Sequence, residues 1–189
     1  MKKLSSIVLV FIFSIINLYS DDQFHSKYKD WEVKFYPKMK VLKTITHGQV
    51  VWGNEFGFVK NQTNCSTEYI WFSISSYEKD IDDVKDKELL LNFNIDSKEY
   101  KLKAKVSFIN ELTPIMKIVT FTRIEPKEKF IELLKKNKSI KIELLGPAEL
   151  VKKFDIPYES FSLDGFIENY TKFNESCKDL SQLNIPVKK

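Results

Sequence analysis

The stretch LLLNFNIDSKEYKLKAKVSF, residues 89–108, decides the fold of this chain. Apolar and polar residues alternate on both sides of Asp96-Ser97, and a period of two is typical of strands with one buried face. A short polar dipeptide between two such runs indicates a tight turn. The stretch therefore predicts a β-hairpin, and an antiparallel sheet that extends from it.

Shorter segments with strand character lie on both sides of this hairpin. They cover residues 31–35, 41–46, 50–52, 69–75, 116–124, 140–144 and 158–163. Two segments have helical spacing instead: one begins at Pro126, and the other follows Asp164. We predict a mainly β fold, either a β-sandwich or a bent antiparallel sheet, with two short helices in the C-terminal half.

The first twenty residues have the three parts of a secretory signal peptide. Lys2 and Lys3 form a basic start, residues 4–18 carry no charge, and Ser20 is a small residue at the boundary. We therefore predict cleavage after Ser20. An uncleaved membrane anchor is the alternative, for which the apolar run is marginal because a spanning helix needs roughly 20 residues.

The remaining chain has the length of one domain. Residues 21–29 are polar and predicted to be flexible, residues 30–180 form a single β-rich domain, and residues 181–189 form a polar tail. No second long apolar run follows the signal peptide, so we predict no transmembrane span in the mature chain. The predicted location is periplasmic or secreted.

Two cysteines, Cys65 and Cys177, remain after cleavage. In an oxidising compartment an even pair is typical of a disulfide, and two free buried thiols are the alternative. A zinc site is disfavoured, because only His25 and His47 could complete it and their spacing fits no ligand pattern.

Motifs for catalysis, nucleotide binding and metal binding are missing from the sequence. The acidic run at residues 80–86 fails the calcium-loop rule, because Lys85 and Leu91 stand where glycine and glutamate are needed. We predict no catalytic residues, no metal site and no cofactor. A small hydrolase that uses His47 as its base is the alternative.

Charge and aromatic residues indicate two candidate binding features. The formal net charge of +4 becomes nearly neutral without Lys2 and Lys3, which argues against nucleic acid as a partner. Lys101, Lys103 and Lys105 form a basic stripe on one strand face, either for an anionic envelope component or as a solvated face that deters edge pairing. The aromatic residues that could line a cleft or fill the core are Trp31, Trp52, Tyr69 and Trp71.

The C-terminal third carries a resemblance to a known family. The motif FSLDGF at residues 161–166 leads into the predicted helix with Cys177, and an early strand begins Trp31-Glu32-Val33. This arrangement resembles the invasion-associated locus B family of exported bacterial proteins, and also the periplasmic accessory proteins of type VI secretion systems. Locus B proteins usually have a further cysteine near the first strand, where this chain has Phe35 and Tyr36. The resemblance implies a periplasmic β-sandwich that acts at the cell envelope without known enzymatic chemistry.

These observations together predict an exported, non-enzymatic binding or envelope-accessory protein whose partner is an envelope protein or an anionic envelope component. The hydrolase that uses His47 is one alternative function. A carrier of lipid or another small ligand is the other, and it requires an apolar cavity of more than a few hundred Å³.

Overall fold

The computed structural model describes residues 24–124 and 128–182. The predicted signal peptide with its cleavage after Ser20, the helix start at Pro126 and residues 183–189 of the predicted tail lie outside the described residues.

Ten strands, three α-helices and one 3-10 helix make up the described chain. The strands are β1 His25–Tyr28, β2 Trp31–Tyr36, β3 Val41–His47, β4 Glu55–Asn61, β5 Asn64–Ser76, β6 Glu88–Ile95, β7 Lys98–Thr113, β8 Met116–Ile124, β9 Ser139–Leu145 and β10 Tyr158–Ser162. The helices are α1 Glu128–Lys136, α2 Ala148–Val151 and α3 Phe166–Gln182, and the 3-10 helix is Ile81–Val84. The predicted mainly β class is confirmed, and α2 is a third helix in addition to the two that the sequence predicts.

All ten strands belong to one antiparallel sheet, in the order β1-β2-β3-β4-β5-β8-β7-β6-β9-β10. The sheet bends until its β10 end returns to the region of β2 and β3. There Gly48 pairs with Phe161 in an isolated bridge, and the Gln49 N–H donates to the Ser160 carbonyl at 3.0 Å. The indole Nε1 of Trp31 donates to the Ser162 carbonyl at 2.9 Å. Of the two predicted architectures, the structure therefore has the bent antiparallel sheet.

The predicted hairpin is confirmed as β6 and β7. Their register pairs Leu89 with Ala104 and Ile95 with Lys98, so the alternating apolar residues face the same side. Asp96 and Ser97 both have positive φ, 48° and 60°, which is the backbone of a type I′ two-residue turn.

The core fills the inside of the bend, and aromatic side chains join its two halves. Phe56 of β4 lies 6.0 Å from Phe93 of β6 and 5.6 Å from Phe161 of β10, measured between ring centroids. Trp31 of β2 lies 4.9 Å from Phe166 at the start of α3. These residues are fully buried, so the hydrophobic effect stabilises the bent form of the sheet.

Helix α3 is fixed to the sheet at both of its ends. Near its C-terminal end, the predicted disulfide is present and joins Cys177 to Cys65 at the start of β5. At its N-terminal end, Gly165 has φ of +90°, and a Cβ there would lie 2.4 Å from the Tyr28 carbonyl oxygen. Glycine is therefore required at this position, and the FSLDGF motif is a structural element that docks α3 onto β1 and β2.

Two local predictions are corrected by the structure. The expected strand at residues 50–52 is a loop, because the N–H groups of Val50 and Val51 donate to the side chain of Glu159 instead of to a neighbouring strand. The segment expected to be flexible, residues 21–29, contains β1, which pairs with β2 from His25 opposite Lys34 to Tyr28 opposite Trp31. β1 is a short edge strand of mostly polar residues, HSKY, so its sequence lacks the apolar alternation that predicts a strand.

Candidate functional site

An open groove of about 500 Å³ lies on the outer face of the sheet, opposite the core. We call it the outer groove. Trp52 and Leu112 form its exposed rim, Trp71, Ser73, Ile118 and Thr120 its floor, and His47 and Glu55 one end. A groove of this size is within the range that binds small molecules or a few side chains of a partner.

Strand alternation places the floor residues. Successive side chains of a strand point to opposite faces, so Phe72 enters the core while Trp71 and Ser73 face outward. Thr120 lies directly opposite Ser73 on the neighbouring strand β8. The Ser73 hydroxyl is buried and has no hydrogen-bond partner among the described residues.

A buried carboxylate holds the loop that carries Trp52. Glu159 of β10 is fully buried, and its oxygens accept hydrogen bonds from the Val50 and Val51 N–H groups at 2.7 and 2.9 Å and from Asn54 Nδ2 at 2.8 Å. Asn54 Oδ1 in turn accepts the Ser75 N–H at 2.8 Å. The loop is therefore fixed both to β10 at one end of the sheet and to β5 in its middle, so Trp52 is presented on a rigid support.

The rim of the groove is free of charge. Residues 48–53 and the end of the β7–β8 hairpin, residues 112–116, contain no charged side chain, although charged residues make up 30% of the chain. Trp52 is 79% exposed and Ile115 is 74% exposed. Trp52 and the exposed Leu112 line the same groove. Exposed apolar residues that lie together mark interaction sites, because monomeric proteins rarely leave large apolar patches uncovered.

A buried lysine fixes the orientation of Trp71. The Lys43 ammonium lies 3.4 Å from the centroid of the Trp71 ring, a cation–π contact. Burial lowers the pKa of Lys43, while the nearby Glu55 carboxylate opposes that shift. Glu55 also accepts a hydrogen bond from Trp71 Nε1 at 3.2 Å, so the floor of the groove is held in place from two directions.

Both described histidines bind one carboxylate next to the groove. His25 Nε2 lies 3.0 Å from Glu32 Oε2, His47 Nε2 lies 3.1 Å from Glu32 Oε1, and Lys34 Nζ lies 2.5 Å from Glu32 Oε1. Burial of Glu32 raises its pKa, but the hydrogen bonds from Lys34, His25 and His47 outweigh burial and lower the pKa to about 2. Glu32 is therefore a stable anion that joins β1, β2 and β3.

His47 lies at one end of the outer groove, and Ser73 lies on the floor of the same groove. A catalytic serine needs a base within hydrogen-bond reach, and among the described residues no hydrogen bond joins His47 to the Ser73 hydroxyl. The His47 ring is bound to Glu32 through Nε2. Within residues 24–124 and 128–182, no group of three or more His, Cys, Asp or Glu residues is placed to hold a metal ion.

The predicted basic stripe lies on an exposed face of β7. Lys101, Lys103 and Lys105 are all exposed and alternate with core residues. Lys101 pairs with Glu99 at 2.6 Å, and Lys105 pairs with Asp86 at 2.8 Å. Two of the three positive charges thus already have an acidic neighbour, which weakens the stripe as an anion-binding surface.

The acidic run is also paired. Lys153 binds Asp83 at 3.1 Å and also binds Asp80, while Lys117 binds Asp82. Asp80 and Asp83 thus share Lys153, and Asp82 has Lys117 as its partner.

Two of the four aromatic candidates line the outer groove. Trp31 is in the core, and Tyr69 lies outside the groove, whereas Trp52 and Trp71 line it. Sequence reasoning did not identify Leu112, Ile118 or Glu159. The charge-free residues 112–116 were a usable signal for Leu112, but nothing in the sequence distinguished Glu159 from a surface glutamate.

These features define a class: a single bent-sheet β domain, secured by a disulfide-bound helix, with an open apolar groove on its outer face. Its fold is that of a crystal structure described as invasion associated protein b from Bartonella henselae, with a TM-score of 0.52 and 12% sequence identity. The match covers 82% of this chain and 99% of that chain. The resemblance inferred from the sequence is thus supported at the level of the fold. No protein-family model matches this chain, and no curated protein matches it.

Proposed function

We propose that this chain is an exported, non-enzymatic binding protein of the bacterial envelope, and that the outer groove is its binding site. The observation that carries the proposal is Trp52, which stands 79% exposed at the rim of a groove of about 500 Å³. Exposed tryptophan is the residue most enriched at binding hot spots, because its burial by a partner releases a large apolar area.

The rigidity of the groove supports a binding role. Glu159 and Asn54 fix the Trp52 loop, and Lys43 and Glu55 fix Trp71. A preformed site loses little conformational entropy when a partner binds, so more of the contact energy appears as affinity.

The disulfide supports export, and the surroundings of His47 support a non-catalytic role. The Cys65–Cys177 disulfide is typical of proteins in oxidising compartments. The helices of the described part include none that is both long and apolar enough to cross a membrane. Among the described residues no hydrogen bond joins His47 to the Ser73 hydroxyl, which supports binding over hydrolysis.

A small-ligand carrier is the second candidate function, and the groove volume favours it. A space of about 500 Å³ that is lined by Trp52, Trp71, Leu112 and Ile118 as well as polar residues would accept part of a lipid chain or a similar ligand. Native mass spectrometry of protein purified from its own host would show a bound ligand as added mass. The same preparation of a Trp52→Ala variant should lose that mass if the groove holds the ligand.

In-cell photo-crosslinking tests the proposed binding function. A photoreactive amino acid replaces Trp52 or Leu112 in one set of strains, and the exposed Met39 or Ile167 in a control set. We expect one defined adduct from the groove positions and none from the controls. Identical adduct patterns at all four positions, or no adduct from the groove, contradict the proposal.

A second comparison separates the groove from the basic stripe. A triple variant of Lys101, Lys103 and Lys105 to glutamate reverses the stripe, and Trp52→Ala removes the groove anchor. If the adduct forms in the stripe variant and disappears in Trp52→Ala, the groove is the binding surface. The opposite result assigns binding to the stripe.

A further inference from the structure

We draw no further inference here: the strongest candidate, the cavity of about 610 Å³ between the C-terminal end of α1 and the N-terminal end of α3, rests on a helix N-terminus surrounded by charges of both signs, and no second feature among the described residues points to a ligand there.

Discussion

The side-chain amide of Asn54 donates to the buried carboxylate of Glu159 at 2.8 Å, across 105 positions of the sequence. The same carboxylate also accepts the backbone N–H of Ser160 at 2.8 Å, in addition to those of Val50 and Val51. One side chain on β10 therefore satisfies the polar groups of the loop that carries Trp52, and the shape of the outer groove depends on it.

Replacement of Glu159 by alanine should destabilise the protein by about 3 kcal/mol or more, because the buried Asn54 amide and the partly buried N–H groups of Val50 and Val51 would lose their acceptor. Urea unfolding of the wild type and variant measures the difference in the free energy of unfolding. The exposed Glu175→Ala is the matched control, with an expected change within about 0.5 kcal/mol. Equal effects of the two substitutions would contradict the assigned role of Glu159.

Glu32 should contribute to the pH dependence of stability. Its folded pKa of about 2 lies below the ordinary value of 4.5, so its contribution is complete above about pH 4.5 and is lost as the pH falls through 2. The shift corresponds to about 3 kcal/mol. In Glu32→Gln the deficit relative to wild type should be largest at pH 5–7 and should shrink towards pH 2.

Urea unfolding at pH 7, 5, 3 and 2 measures this deficit. Glu99→Gln, which removes an exposed carboxylate paired with Lys101, is the control and should change stability by less than about 1 kcal/mol. If the stability deficit of Glu32→Gln stays constant over the whole pH range, the charge of the Glu32 carboxylate is not the source of the stabilisation.

Removal of the disulfide should lower stability by about 4–5 kcal/mol, because the bridge closes a loop with a sequence separation of 112. The variant is Cys65→Ala with Cys177→Ala, measured by urea unfolding. Reductant should destabilise the wild type and leave the double variant unchanged. Intact mass should rise by two hydrogen atoms when the wild type is reduced under denaturing conditions, and an unchanged mass would mean that the bridge is not formed.

Two glycines with the same backbone angle give a matched pair. Gly53 and Gly165 have φ of +91° and +90°. A Cβ at Gly53 would lie in ordinary contact with Leu112 Cδ2 at 3.6 Å and Ile118 Cδ1 at 3.9 Å. A Cβ at Gly165 would lie only 2.4 Å from the Tyr28 carbonyl oxygen. Gly53→Ala should cost about 1–2 kcal/mol from backbone strain alone. Gly165→Ala should cost clearly more by thermal unfolding, and equal losses would contradict the close docking of α3.

Local patterns predicted the elements of the fold better than their assembly. The β6–β7 hairpin could be read from residues 89–108 because alternation and turn chemistry act over neighbouring positions. The return of β10 to Gly48 could not, since it depends on contacts between residues more than a hundred positions apart. Val50 and Val51 were mistaken for strand residues because β-branched residues favour strands on average, while here a distant carboxylate holds their N–H groups.

The candidate site was predicted only in part. Trp52 and Trp71 were named as aromatic candidates, but a sequence cannot show which tryptophan lies on the outer face of a bent sheet. The basic stripe was placed correctly on one face of β7, while its pairing with Glu99 and Asp86 depends on local geometry.

The contact between Glu159 and the Trp52 loop also sets an order of events during synthesis. A ribosome makes the chain from its N-terminus, so the loop at residues 48–54 exists long before residue 159 has been added. Until then its N–H groups have no internal acceptor on β10, and the rim of the groove has no fixed shape. The outer groove therefore forms only in a chain that is complete through β10. A chain that ends before β10 would keep Trp52 but would lack the carboxylate that fixes the Trp52 loop.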